Sequence, residues 1–469
     1  MFYNKEIEYF ISDFVSELGD NNVAIFAGAG LSAPSGFVDW KGLMKDFSDQ
    51  IDLDVEKEDD LISLAQYYLN KQKGNRYSIT KKLVEEFTQD KIPNDNHRIL
   101  ARLPIPVYWT TNYDRLIEKS LVDNNKKPDS KYAKEHFVKT IPKRDAIVYK
   151  MHGDIEHLHE VVLTKDQYES YYETHSAFLS TLAGDLTART FLFIGYSFND
   201  PNLQYILARV RVLYKDHQRR HYCFFRELKQ WKNESYEDFE YRRVKQKLII
   251  EDLARFNIHV LLVKEYEDIT KILLEIERRY KMKTVFISGS AYTFDGFKNN
   301  GAELGRELSI ALLKHGYKIV SGFGLGVGQY VIDGALDEIY NNRKERLSDQ
   351  LQLFPFPVSS NSPDIQNNYR DNMISHAGIT IFLFGNKLKD GSLINSPGLE
   401  KEFKISEQKK LLLVPVGATG YASRELWNEV INNYDKYYQE KNKFEMLKKL
   451  GDTSLTNSQL INIILEFIK

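Results

Sequence analysis

The sequence predicts an α/β protein built from two doubly wound parallel-sheet units, the first carrying a helical insertion. Three observations carry this expectation. Short apolar runs alternate with helical patterns along the chain. Two of those runs end in glycine turns: Val23-Ala-Ile-Phe-Ala27 before Gly28-Ala-Gly30, and Thr284-Val-Phe-Ile-Ser288 before Gly289. The pattern also restarts near Thr284, within 469 residues, a length that suits two to four compact units of about 100–200 residues each.

The elements follow in order. Ile7, Phe10, Ile11, Phe14, Val15 and Leu18 recur at helical spacing and describe an amphipathic helix rather than a signal peptide. After the first apolar strand, residues 40–103 hold helical patterns only, which is the insertion. Strands return at residues 107–111, 146–150, 191–194, 221–225 and 259–263, separated by helices of which 204–214, 238–256 and 269–280 are clearest. The second unit has strands at 284–288, 318–321, 351–354, 379–384 and 411–416, a helix around 301–315 and a closing helix through 461–467. The expected division is 1–283 and 284–469, and both units read as Rossmann-like. No Gly/Ser-rich or Pro-rich linker marks the join.

Composition narrows the function. A hydrophobic fraction of 42% supports real cores. Lys+Arg 64 against Asp+Glu 66 leaves a net charge of -2, which offers no global field for nucleic acid or an anionic membrane. A single cysteine, Cys223, excludes an internal disulfide framework and a multi-cysteine zinc site. No run of about 18 uncharged apolar residues is present, so no membrane helix is expected. The expectation is a soluble, cytoplasmic protein.

Four pieces in the first unit sit at strand ends, where open parallel sheets bind ligands. They are Gly28-Ala-Gly30-Leu-Ser32, Trp109-Thr-Thr-Asn112-Tyr-Asp114, Lys150-Met-His152-Gly153-Asp154 and Gly195-Tyr-Ser197-Phe-Asn-Asp200-Pro201. A glycine turn before a helix suits a pyrophosphate, but it also serves any tight strand-to-helix turn. Asn112 or Asp114 equally suits a helix cap, His152 a loop hydrogen bond, and Asp200-Pro201 a helix start. The crowd His152, Asp154, Glu156, His157, His159 and Glu160 lacks the His-Glu-x-x-His spacing of a helical zinc site and reads as loop charges.

In order and spacing, the four pieces together resemble the sirtuin family over residues 15–265. That resemblance implies that Ala27, Gly28 and Ser32 line the NAD phosphate and ribose pocket. It implies that Asn112 and Asp114 address the nicotinamide ribose and the nicotinamide, that Ser197 contacts the adenosine side, and that His152 is the general base. Sirtuin deacylases carry a zinc held by two Cys-x-x-Cys pairs, in a module that helps form the acyl-lysine groove. With one cysteine, which sits in an apolar strand pattern, this chain departs from them, so the resemblance points to NAD cleavage without deacylation.

The second unit, with Gly289-Ser290 and Gly322-Phe-Gly324-Leu-Gly326-Val-Gly328, resembles the SLOG superfamily of nucleotide sensors. Related phosphoribohydrolases use Pro-Gly-Gly-x-Gly-Thr-x-x-Glu, whereas this chain has Ser396-Pro-Gly398-Leu-Glu-Lys-Glu402, which favours sensing over hydrolysis. A sirtuin-like unit followed by a SLOG unit is similar to the NADase effectors of Thoeris anti-phage defence. Segments such as Tyr108–Glu118, Ser321–Gly328 and Val414–Tyr421 carry that likeness. It implies that a TIR-domain partner makes a cyclic ADP-ribose isomer, held here by Gly289, Ser290, Arg370, Lys387 and Glu402. It also implies a homo-oligomer, a tetramer that extends into filaments.

The expectation is therefore an NAD glycohydrolase with no cofactor beyond its substrate and no zinc, releasing ADP-ribose and nicotinamide, with cyclisation as a minor outcome. The alternatives are an NAD-dependent deacylase and a nucleotide-binding regulator without turnover.

Overall fold

The computed structural model describes residues 3–342, 347–355, 363–438 and 440–469. The chain divides into two compact units, Met1–Glu277 and Arg278–Lys469. This division falls inside the helix Glu267–Lys281, earlier than the restart at Thr284. The reason is local to the first unit: Ile269, Ile272, Leu273 and Ile276 are buried, and Arg102 holds Glu277 in a two-pronged pair at 2.7 and 2.6 Å.

The first unit is one seven-stranded sheet. Its strands are β1 (Val23–Ala27), β2 (Val107–Thr110), β3 (Pro128–Lys131), β4 (Ala146–Lys150), β5 (Thr190–Ile194), β6 (His221–Arg226) and β7 (Ile258–Val263). The order is β3-β4-β2-β1-β5-β6-β7, and every neighbouring pair is parallel. β1, β2 and β5 are buried along their whole length, as strands covered on both faces must be. Phe26, Trp109, Phe191 and Phe193 form the heart of that core. The strand order reverses at β1, with β2 on one side and β5 on the other, and this opens a crevice at their carboxyl ends.

The first helix, Lys5–Gly19, buries the six apolar residues that its sequence spacing picks out, and Asn4 caps it by accepting the Ile7 N–H at 2.8 Å. Between β1 and β2 lie the helices Trp40–Asp49, Leu61–Lys71, Tyr77–Phe87 and Asp95–Arg102, with no strand among the described residues. Their core, around Leu43, Phe47, Tyr68 and Leu83, also takes in Tyr113 and Ile155 from the loops after β2 and β4. The helical insertion thus packs against the loops that carry the site.

The second unit has β8 (Thr284–Ser290), β9 (Lys318–Ser321), β10 (Leu351–Leu353), β11 (Ile379–Phe384) and β14 (Leu412–Pro415) in the order β10-β9-β8-β11-β14, all parallel. A hairpin, β12 (Asn386–Lys389) with β13 (Ser392–Asn395), stands apart from this sheet. Strand order reverses between β8 and β11, beside Gly289 and Ser290. The closing helix, Asn457–Ile468, starts with a capping box formed by Thr456 and Gln459.

Candidate active site

β1 ends at Ala27 and turns at Gly28 into the short helix Ala29–Ser32; Ala27 and Ser32 are buried. The opposing loop leaves β5 at Gly195, whose φ of +63° is the left-handed conformation that glycine adopts without strain. The two turns meet backbone to backbone. Gly28 N–H donates to the Ile194 carbonyl at 3.0 Å and Gly30 N–H to the Gly195 carbonyl at 2.9 Å. A Cβ on Gly195 would lie 2.2 Å from the Leu31 nitrogen, so no other residue fits. Close packing therefore accounts for these glycines.

Asn112 follows β2 and binds this turn directly. Its amide donates to the Gly28 carbonyl at 3.0 Å and to Ser32 Oγ at 3.2 Å, while Thr110 Oγ1 holds the Asn112 N–H at 3.0 Å and the Ala27 carbonyl at 3.0 Å. Asp114 is buried and accepts at 3.0 Å the N–H of Leu116, the first residue of the helix Leu116–Asp123, with Arg115 between them at the cap position. Asn94 completes the support from the insertion, donating to the Leu31 carbonyl at 2.7 Å and to Ser35 Oγ at 3.2 Å.

His152 follows β4, the sheet neighbour of β2, and is buried. Its Nε2 lies 2.9 Å from Asp200 Oδ2, and its Nδ1 lies 3.5 Å from the Tyr168 hydroxyl. Asp200 also caps the helix Pro201–Tyr214 by accepting the Leu203 N–H at 3.0 Å. Burial raises the Asp200 carboxyl, but His152 and the Leu203 and Asn202 N–H groups outweigh it and hold the group below the usual carboxylate range. Asp200 is the partner of His152 that sequence reasoning missed. Its position before a proline marks it as a cap, and no local signal places it against a residue 48 positions earlier. Ser197, in the same loop, is exposed.

The acidic and histidine side chains around His152 are engaged elsewhere. Asp154 lies 2.6 Å from Lys150 Nζ, Glu156 pairs with Arg115, and His157 bonds and stacks with Tyr132. Cys223 is buried in β6, where burial pushes its thiol up.

In the second unit, Ser288 donates to Glu402 Oε2 at 2.6 Å, and Arg370 Nε lies 3.6 Å from Glu402 Oε1. Burial raises the Glu402 carboxyl against the opposing pull of Ser288 and Arg370. The Ser290 hydroxyl is buried without a hydrogen-bond partner among the described residues. The glycine loop after β9 packs under the end of β8: a Cβ on Gly324 would lie 2.0 Å from the Gly289 carbonyl, and one on Gly326 1.9 Å from that of Ala291. Gly289, Ser290, Arg370 and Glu402 thus gather at one end of the sheet. Lys387 stands on β12 and makes no ion pair among the described residues.

Two family profiles match the chain. A SIR2-like domain covers residues 106–248, and a family described as Sir2- and TIR-associating SLOG covers residues 268–469. The NAD(+) hydrolase ThsA of Bacillus cereus (strain MSX-D12) is 46% identical over 469 residues, covering 99% of this chain and 98% of the relative. The protein of that name from Cytobacillus dafuensis is 48% identical over 478 residues, covering 98% and 96%. That from Acinetobacter baumannii (strain 532279) is 43% identical over 480 residues, covering 100% and 99%.

Proposed function

Because this chain belongs to the ThsA family of NAD(+) hydrolases, we propose that it cleaves the bond between nicotinamide and ribose in NAD, giving ADP-ribose and nicotinamide. The observation that carries the reading is the convergence of Gly28, Ser32, Asn112, His152 and Asp200 at neighbouring strand ends. Gly28, Ala27 and Ser32 line the pyrophosphate and ribose, and Ser197 takes the adenosine side. Asn112 orients a ribose hydroxyl or the attacking water, and Asp114 addresses the nicotinamide.

The chemistry asks little of the protein. Nicotinamide leaves as a neutral molecule from a pyridinium, so no strong acid is required. Positive charge develops at the ribose carbon, as in glycoside cleavage. Water adds there, and His152 takes its proton. The Asp200 carboxylate beside Nε2 stabilises the imidazolium that forms and leaves Nδ1 as the nitrogen that accepts the proton. The reaction needs no zinc and no cofactor besides NAD itself. Attack by the adenine in place of water gives a cyclic minor product.

The second unit binds a cyclic ADP-ribose isomer made by a TIR-domain partner and switches cleavage on in anti-phage defence. The profile that pairs SLOG with Sir2 and TIR supports this, as does the site chemistry. Arg370 and Lys387 meet the pyrophosphate, Glu402 meets ribose hydroxyls, and Gly289 and Ser290 lie against the phosphates. The working form is a cytoplasmic homo-oligomer, a tetramer that extends into filaments, with no nucleic-acid partner.

The test is to incubate the purified protein with NAD, with and without cyclic ADP-ribose isomers, and separate the products. Isomer-dependent release of nicotinamide is expected. His152→Ala and Asn112→Ala should abolish it in folded protein, and Arg370→Ala should remove the response to the isomer. Full activity of either catalytic variant rejects the mechanism, and turnover only with an acylated peptide makes the chain a deacylase.

A further inference from the structure

We propose that Lys150 is a positioning residue for NAD cleavage: its buried ammonium ties the loop carrying Asn112 to the loop carrying His152. The proposal rests on the reading in which those two residues carry the cleavage.

Lys150 is the last residue of β4, and its side chain is 0% exposed. Its Nζ donates to the Tyr113 carbonyl at 3.1 Å and to the Asp114 carbonyl. The same atom lies 2.6 Å from Asp154 Oδ2 and 3.5 Å from Glu118 Oε1. Tyr113 and Asp114 directly follow Asn112, and Asp154 is two residues beyond His152. One ammonium, with three donors and no acceptor, therefore reaches both catalytic loops at once.

Among the described residues the Lys150 ammonium bonds to neither Asn112 nor His152, so it acts through its neighbours. Burial disfavours the ammonium, but Glu118, Asp154 and Asp114 outweigh it and hold the group above the ordinary lysine value, so it stays charged and serves as no base. A buried charge is poor glue, because the cost of removing it from water offsets most of the attraction it gains. What it does supply is a fixed distance between its partners. The backbone reinforces the same link through Ile155 N–H to the Tyr113 carbonyl at 3.2 Å.

Lys131 provides the contrast. It is also buried and lies 2.8 Å from Asp129, with a further bond to the Lys139 carbonyl. These partners lie on β3 and the segment after it, and neither belongs to a catalytic loop.

The experiment uses the full chain with Lys150→Met combined with Asp154→Asn, so that charge and countercharge leave together. Burial already raises the Glu118 carboxyl, and Lys150 is the first cation that opposes that rise. Lys131→Met is the comparator. Nicotinamide release is measured against NAD concentration and pH with a cyclic ADP-ribose isomer present, alongside amide hydrogen exchange. In the double variant, kcat should fall about 100-fold, the scale of a displacement of about 1 Å, with KM changed less than about threefold and the pH profile unmoved. Exchange should quicken in both 111–118 and 151–158. Lys131→Met should keep its kcat.

An unchanged kcat in the double variant, or a loss confined to KM, overturns the proposal, as does a shifted pH profile. If the wild type releases no nicotinamide, the cleavage reading fails by itself. Exchange then decides whether Lys150 ties the two loops, and unchanged exchange in either segment rejects it.

Discussion

His97 and His221 are buried in the first unit, and burial lowers their imidazoles, to about 4 for His97 and about 3 for His221. Both fold in the neutral form. An unfolded chain binds these protons near the ordinary 6.5, so between 6.5 and about 4 it holds more protons than the folded chain. Stability should therefore be full above pH 6.5 and fall as the pH drops through that window, by roughly 1.4 kcal/mol per pH unit per group. Neither ring nitrogen of His97 has a hydrogen-bond partner among the described residues, so His97→Leu removes this liability without orphaning a donor. Urea midpoints from pH 7 to 4 should fall less steeply in the variant; parallel curves would contradict the assignment. At this scale the sequence showed which residue types stand at strand ends, and it named Asn112 and His152. It could not show Asp200 beside His152 or Lys150 beneath both loops, because those contacts cross between separate strands.

Among the elements, the two glycine turns of the first unit are each other's environment. Gly195→Ala puts a side chain into left-handed backbone and into the Leu31 nitrogen, so both turns must move apart. The expected cost is about 1–3 kcal/mol or more, with NAD turnover lost beyond that, measured by thermal melting and product release. A variant that melts and turns over like the wild type would show that the turns need not touch. Most elements were legible, because a buried parallel strand is a short apolar run and a surface helix is a periodic one. β3 was not, since Pro128-Asp-Ser-Lys131 is an edge strand with no apolar run to announce it. The hairpin β12–β13 was also missed. Its strands are short and only partly buried, and they carry no hydrophobic alternation imposed by a core.

For the whole molecule, each unit has its own core: Phe26, Trp109 and Phe193 centre the first, and Ile287, Ile381 and Val414 the second. Calorimetry should accordingly resolve two unfolding transitions. A cyclic ADP-ribose isomer at 100 times its Kd should stabilise the second unit by about 2.7 kcal/mol, while NAD acts on the first. One transition, or an isomer that moves only the first unit, would argue against sensing in residues 284–469. The sequence by itself determined the fold class, the residues at the strand ends and the count of one cysteine. All of these are local patterns or counts, written in periodicity, glycine turns and a single cysteine. Only the tertiary structure decided that close packing explains the glycines, that Asp200 lies against His152 and that Lys150 reaches the loop after Asn112. Those are distances between segments far apart in the chain, and only strand order and side-chain packing fix them.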